Sequence, residues 1–316
     1  MPSNGNGSNS AAVGAVSYTS ILEEHDVART QREVRVRLLK DLALPEYNAG
    51  KESVGVVAHV AHAPLDSADI PVLGNLLLGI GDVDTLLLLL HSPGGDGTVV
   101  EKFVSLCRAQ CKRFRVIIPN EAKSAATLIA LGADEIVMGP TSEIGPIDAQ
   151  VPVLSSGLIS YLSAQSFIDT RDELVKKHAE QVKKGEDTSA TMQMLASLDL
   201  PFITECERLM AFGRDVAKKF LLAHMFKGIA DKKTAADKVV KTLSSVERFK
   251  VHGRLIDGRT ARTELRLKVK LCGKSDQFWR KVWEYYTRAE VAIGRSAASK
   301  WLETEDELLM AARPSG

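Results

Sequence analysis

Between residues 54 and 138 the apolar residues fall into short, nearly continuous runs separated by longer amphipathic segments. Runs this short and this rich in leucine and β-branched residues are typical of strands buried on both faces of a sheet. The predicted strands are Val54–Val60, Thr85–Leu90, Phe114–Ile118 and Glu135–Met138, and the predicted helices are Ile21–Leu42, Asp66–Leu78, Thr98–Cys111 and Ser124–Leu131. Strands that alternate with helices in this way predict βαβ units around a parallel sheet.

The chain changes character near residue 151, after which it is mainly charged and helical in pattern. We therefore expect a disordered tail over residues 1–20, an α/β core over 21–150 and a mainly helical extension over 151–316. Aromatic residues cluster late in that extension, where they serve either core packing or an interface between copies: Trp279, Trp283, Tyr285, Tyr286 and Trp301.

Charge and hydropathy exclude several classes of protein. The 41 basic and 40 acidic residues nearly cancel, so the sequence carries no electrostatic footprint for nucleic acid. No stretch reaches the ~20 apolar residues that a membrane span requires. The first twenty residues are rich in Ser, Asn, Gly and Ala and lack the basic and apolar regions of a secretory signal. We therefore expect a cytoplasmic location.

The first loop with candidate chemistry is His91–Gly97, directly after the leucine-rich strand. Adjacent glycines such as Gly94 and Gly95 can turn backbone N–H groups outward, where they stabilise a developing oxyanion. The alternative is a plain glycine turn that reverses the chain. His91 stands beside this turn and is placed to line the same site, whereas His59 and His62 are interpreted as structural residues.

The second loop, Pro119–Thr127, leads from the third strand into an apolar helix and carries Ser124. A serine at the start of a helix is usually an N-cap. The functional alternative is a nucleophile at the positive end of a helix, and the small neighbours Ala125 and Ala126 would admit a substrate.

Taken together, the two loops resemble the active-site core of the Clp protease and crotonase superfamily. The resemblance is closer still to the serine dehydrogenase proteinase family, which is related to signal peptide peptidase A, and covers roughly residues 50 to 260. The stretches that carry it are His91–Gly95, Lys123–Thr127, Leu131–Ile136, Gly145–Asp148 and His252–Arg254. It implies a Clp/crotonase-like ββα superhelix with a parallel sheet and a helical C-terminal part. It also implies peptide substrates and a homo-oligomer, with no cofactor or metal.

By position, the resemblance implies a serine peptidase that works through an acyl-enzyme at Ser124. Asp148 would orient the imidazole of His252, and His252 would act as the general base. The backbone N–H groups of Gly94 and Gly95 would form the oxyanion hole. Taken alone, Asp148 is typical of a local turn and His252 of a solvated loop histidine.

Three alternatives stay open. Related signal peptide peptidases use a lysine base with a depressed pKa, for which Lys176 or Lys177 has a similar spacing from Ser124, although both lie in a charged segment typical of a solvated helix face. A crotonase-type acyl-CoA enzyme would use acidic residues facing the glycine loop, with Glu121 and Glu143 as candidates. The third alternative is an inactive Clp-fold scaffold that binds partners.

Overall fold

The computed structural model describes residues 28–44, 52–155, 158–245 and 254–312. The helices in these ranges are α1 (Ala28–Ala43), α2 (Asp69–Ile80), α3 (Val100–Ala109), α4 (Ala125–Leu131), α5 (Ala164–Lys184), α6 (Ser189–Ala196), α7 (Leu200–Phe220), α8 (Lys232–Leu243), α9 (Gly258–Thr263) and α10 (Gln277–Gly294). The strands are β1 (Val54–Ala61), β2 (Val83–His91), β3 (Cys111–Ile118), β4 (Glu121–Ala122), β5 (Glu135–Met138), β6 (Glu143–Ile144), β7 (Gln150–Ser155), β8 (Leu158–Ser163), β9 (Ile256–Asp257), β10 (Val269–Leu271), β11 (Ala298–Glu303) and β12 (Leu308–Ala312). The predicted tail over residues 1–20 and His252 lie outside the described residues.

The four predicted strands form the centre of one seven-stranded sheet. Its order is β10-β5-β3-β2-β1-β11-β12, and the five strands from β10 to β1 run parallel. Only β11 and β12, at the far edge, are antiparallel. The prediction of an α/β fold with a mostly parallel sheet is therefore confirmed.

The leucine run of β2 shows why this sheet is buried on both faces. All five leucines from Leu86 to Leu90 are fully buried. Because side chains alternate along a strand, Leu86, Leu88 and Leu90 join one core cluster, whereas Leu87 and Leu89 join another. The first cluster packs on α2, α3, α4 and α8, and the second packs on α1 and α10. The result is three layers with the sheet in the middle.

The part of the chain after residue 150 is mainly helical, but it also completes the sheet. β10 pairs with β5, and β11 pairs with β1, so three of the seven strands come from this part. The expected division at residue 150 stays a prediction, although this shared sheet argues against two separate units. Four of the late aromatic side chains are buried in the core rather than available to an interface, namely Trp279, Tyr285, Tyr286 and Trp301.

Two smaller sheets flank the main one. β4 pairs with β6, and β6 pairs with β9, directly beside the loop that follows β3. β7 and β8 form an antiparallel hairpin that leads into the long helix α5. A separate small apolar cluster joins this hairpin to α5 and α7 through Val151, Ala164, Cys206 and Met210.

Candidate active site

The parallel strands bring three loops to one edge of the sheet, because β1, β2 and β3 all end there. The loop after β2 and the loop after β3 are linked by backbone hydrogen bonds. Ser92 N–H donates to Glu121 O at 3.0 Å, and Lys123 N–H donates to Ser92 O at 3.1 Å. On the other side, Leu65 N–H donates to Gly94 O at 2.7 Å. The glycine loop therefore lies between the β1 loop and the serine loop.

Ser124 has an unusual backbone conformation, with φ 47° and ψ −113°. In the described ranges, Arg266 is the only other non-glycine residue with positive φ. Such a conformation costs on the order of 1–3 kcal/mol and persists only where the surrounding structure enforces it. The Ser124 side chain is half-buried and forms no hydrogen bond that caps α4. The structure therefore does not support the N-cap role that the position of Ser124 suggested.

Gly94 and Gly95 have positive φ, 98° and 141°, and both are packed closely against neighbouring backbone. A Cβ on Gly94 would lie 2.9 Å from Ser124 Cβ and 2.7 Å from Lys123 O. A Cβ on Gly95 would lie 2.4 Å from the backbone of Leu65. The glycines thus allow close contact between loops, and they also bring their own backbone to the serine. Gly94 N–H donates to Ser92 Oγ at 3.2 Å.

Lys123 and Glu143 form an ion pair at the serine loop. The Lys123 side chain is buried, and its ammonium group contacts the Glu143 carboxylate. A Cβ on Gly145 would lie 2.8 Å from Lys123 Cδ, so this glycine leaves room for the lysine stem. Glu121 lies opposite Glu143 across β4 and β6, and burial raises the pKa of its carboxyl group. Glu143, one of the two acid candidates for acyl-CoA chemistry, is thus engaged by a lysine.

Asp148 is 4% exposed and lies on the segment that follows β6. That segment is anchored to the serine loop through Thr127, whose Oγ1 donates to Gly145 O at 3.0 Å. On its other side, Ile147 N–H donates to Leu243 O at 2.9 Å. The structure therefore places the Asp148 segment against the serine loop and in the interior, which is unusual for a turn aspartate.

The two candidate lysines occupy a different environment. Lys176 and Lys177 lie on α5, and both side chains are exposed. A lysine base depends on burial to lower its pKa, and exposed positions do not provide this. The other candidate base, His252, lies outside the described residues.

A second group of ionisable side chains lies beside the glycine loop and includes His91, which the sequence placed near the site, and His62, which it assigned a structural role. His62 Nε2 lies 2.8 Å from Glu290 Oε2, and His91 Nε2 lies 3.5 Å from Glu290 Oε1. Glu121 N–H donates to His91 Nδ1 at 3.4 Å. Burial, and then the neighbouring His62, lower the pKa of His91 to about 4. The ring of Tyr286 packs edge-on against the His91 ring, with 5.0 Å between the ring centroids.

The fold is α/β with a mostly parallel central sheet, and the glycine loop and the serine loop meet at one edge of that sheet. Residues 79–183 match the model of a family described as ClpP-like SDH-type serine proteinase. The resemblance to the serine dehydrogenase proteinase family is thereby confirmed over this segment, which contains the glycine loop, Ser124 and Asp148.

Two curated relatives match over a third of the chain or less. The uncharacterised protein MJ0137 of Methanocaldococcus jannaschii is 33% identical over 98 residues, which are 31% of this chain and 34% of that protein. A second protein of that organism, MJ1495, is 39% identical over 64 residues, which are 20% of this chain and 22% of its own length. The chain therefore spans about a third or less of the length of these relatives.

Solved structures align only loosely. The 1510-N membrane-bound stomatin-specific protease is 16% identical with a TM-score of 0.30, and the alignment covers 75% of this chain and 99% of that one. An enoyl-CoA hydratase from Mycobacterium avium subsp. paratuberculosis is 12% identical with a TM-score of 0.23, covering 66% and 98%. Scores this low carry no argument about function. Within the described ranges, no helix has both the length and the apolar character needed to cross a bilayer.

Proposed function

We propose that the chain is a serine peptidase whose nucleophile is Ser124. The observation that carries this proposal is the conformation of Ser124, which is strained and leaves the side chain without a capping role beside the glycine loop. Strain of this kind is retained where it positions a reactive group. The family match over residues 79–183 supports the same chemistry.

In the proposed reaction, Ser124 Oγ attacks the carbonyl carbon of a peptide bond, and its proton passes to the general base. The base then protonates the leaving amine, and water hydrolyses the acyl-enzyme. Backbone N–H groups of Gly94 and Gly95 hold the oxyanion. To do so, Gly94 N–H gives up its hydrogen bond to Ser92 Oγ and donates to the substrate oxygen instead.

For the base, we propose His252 oriented by Asp148. The burial of Asp148 beside the serine loop supports this choice, and the exposure of Lys176 and Lys177 weakens the lysine alternative. A neutral imidazole at this position requires a fixed tautomer, which a buried carboxylate provides.

The test is labelling of the purified chain with a fluorophosphonate probe, followed by peptide mapping. We expect stoichiometric labelling at Ser124 that is lost in Ser124→Ala and retained in the control Ser160→Ala, an exposed serine on the β7–β8 hairpin. A folded wild-type protein that does not label would refute the nucleophile and favour the scaffold alternative.

The same assay separates the candidate bases. His252→Ala and Asp148→Asn should slow labelling, whereas Lys176→Met and Lys177→Met should leave the rate unchanged. If a lysine variant alone abolishes labelling, the histidine assignment is wrong while Ser124 stands.

A homo-oligomer and a cytoplasmic location remain predictions. Support for an oligomer comes from the β7–β8 hairpin, which exposes several large apolar side chains, and such patches on folded proteins commonly mark interfaces. They are Leu154, Leu158, Tyr161 and Leu162.

A further inference from the structure

Three side chains with metal-binding atoms converge at the edge of the sheet beside the glycine loop. His62 follows β1, His91 ends β2, and Glu290 lies on α10, so the chain brings them together from three separate elements. Their ligand atoms all lie within 4.8 Å of one another. No second group of histidine, cysteine or carboxylate side chains is arranged this closely in the ranges that the structure describes. We propose that His62, His91 and Glu290 bind a divalent transition metal ion of the zinc type.

Two ligand-to-ligand distances at this cluster are close to those that the ion requires. Zinc binds imidazole nitrogen and carboxylate oxygen at about 2.0–2.2 Å, so two ligands in a tetrahedral site lie about 3.3 Å apart. The distance from His91 Nε2 to Glu290 Oε1 is 3.5 Å. The distance from His62 Nε2 to Glu290 Oε2 is 2.8 Å, and it would have to lengthen by about half an ångström to admit the metal. His62 is the ligand able to make this shift, because 40% of its side chain is exposed.

An independent observation is the environment of Glu290 Oε1. This oxygen is buried and accepts no well-formed hydrogen bond from the described residues, and His91 Nε2 lies 3.5 Å from it. A buried carboxylate oxygen that lacks a good hydrogen bond is costly and is normally compensated. A cation between Oε1 and the two imidazoles would provide that compensation.

The ligand set and its exposure also indicate the kind of site. Two histidines and one glutamate are a common zinc set that leaves a fourth position open for water. His91 is buried and Glu290 is partly buried, whereas His62 faces solvent. The ion would therefore enter from the His62 side, and its fourth ligand would face outward.

Binding at His91 has a structural consequence for the serine loop. His91 Nδ1 accepts a hydrogen bond from Glu121 N–H, an arrangement in which the neutral ring carries its proton on Nε2. Coordination through Nε2 moves that proton to Nδ1 and breaks this 3.4 Å contact. Glu121 begins β4, which leads directly into Ser124, so an occupied site would loosen the support of the serine loop.

The experiment uses the full chain stripped of metal with a chelator, titrated with Zn²⁺ by calorimetry and with Co²⁺ by visible absorption. We expect one equivalent to bind, with the intense visible bands of four-coordinate Co²⁺. His62→Ala and Glu290→Gln should weaken binding by more than the about 10- to 100-fold typical of losing an outer-shell partner. The control His178→Ala removes a histidine on α5 that bonds Thr191 and should leave binding unchanged.

Binding weaker than about 100 µM, or binding that survives both His62→Ala and Glu290→Gln, would overturn the proposal. In that case the three residues are a hydrogen-bonded cluster that ties α10 to the strand ends. His62→Ala changes an exposed side chain, so its melting temperature verifies that the fold is intact. Fluorophosphonate labelling of the metal-free protein tests Ser124 separately, so either proposal can fail without the other.

Discussion

Gly94 is the residue at which the glycine loop packs against the serine loop. Its φ of 98° lies in a region that glycine adopts freely, and a Cβ there would collide with Ser124 and with Lys123 O. The sequence indicated this position, because a Pro-Gly-Gly run after a buried strand predicts a tight turn at the sheet edge. The neighbours that leave no room for a Cβ here, Ser124 and Lys123 on the serine loop, are evident only from the structure.

Replacement of Gly94 by alanine should therefore affect both stability and the serine. For Gly94→Ala we expect a loss of about 1–3 kcal/mol or more in the free energy of unfolding, together with slower labelling of Ser124. Gly97→Ala is the matched control, because a Cβ on Gly97 meets no atom within 4 Å. Urea unfolding and labelling rates measure the two effects. Equal behaviour of the two variants would contradict the close packing of the loops.

Glu290 shows why part of the residue-level chemistry was not predictable. Nothing in the spacing of His62, His91 and Glu290 along the chain indicates a site, since metal motifs are recognised by short, regular intervals. Glu290 also lies on an amphipathic helix, where a carboxylate is ordinarily interpreted as a solvated side chain. The cluster became apparent only when α10 was placed over the ends of β1 and β2.

At the scale of elements, the runs of β-branched and leucine residues were sufficient to locate β1, β2, β3 and β5. β11 was missed because its sequence contains charged residues that a buried strand rarely tolerates. In the structure Lys300 is paired with Asp66 and Asp69, and Glu303 accepts hydrogen bonds from Arg35. These partners come from α1 and from the region where α2 begins, so their presence could not be inferred from β11 alone.

Lys300 joins β11 to the beginning of α2 and thereby supports the loop that contacts Gly94. Lys300→Met should cost about 3–5 kcal/mol, because it removes one partner of a buried ion pair and leaves the Asp69 carboxylate with less compensation. We also expect faster amide exchange at Leu65, whose N–H bonds Gly94 O. The control is Lys112→Met, which removes the ion pair between the exposed Lys112 and the partly exposed Asp84 and should change stability little. An unchanged amide exchange rate at Leu65 in Lys300→Met would show that the loop containing Leu65 is held in place independently of Lys300.

At the scale of the whole molecule, the adjacency of the glycine loop and the serine loop followed from topology. Carboxyl ends of neighbouring parallel strands meet at one edge, so any α/β fold with this strand sequence brings β2 and β3 loops together. The sequence did not predict that the second half of the chain contributes strands to the sheet. The reason is that β10 is only three residues long and that β11 pairs with a strand far away in sequence.

The stability of the molecule should depend on pH through Asp69. Burial works to raise the pKa of this carboxyl, but the neighbouring His59 and Lys300 outweigh it and hold the pKa at about 2, below its usual 3.8. The stabilisation is therefore complete above about pH 4 and is lost as the pH falls toward 2. We expect the folded state to lose about 1–2 kcal/mol in this window, after allowance for screening near the exposed Asp66.

Urea unfolding at about pH 5 and about pH 3 measures this loss. Asp69→Asn should lower stability at neutral pH and reduce the difference between the two conditions. A variant that keeps the full pH dependence would assign the loss to other carboxylates.

The position of β11 has a consequence for how the molecule folds. β1 is an interior strand, yet Ala58 pairs with Glu303, from which it is separated by about 245 residues of chain. During synthesis β1 and β2 emerge long before β11, so a nascent chain exposes one unpaired edge of β1 until β11 has been made. Unpaired edges of apolar strands invite association with other chains. We therefore expect slow folding that is completed after translation and benefits from chaperones that shield this edge.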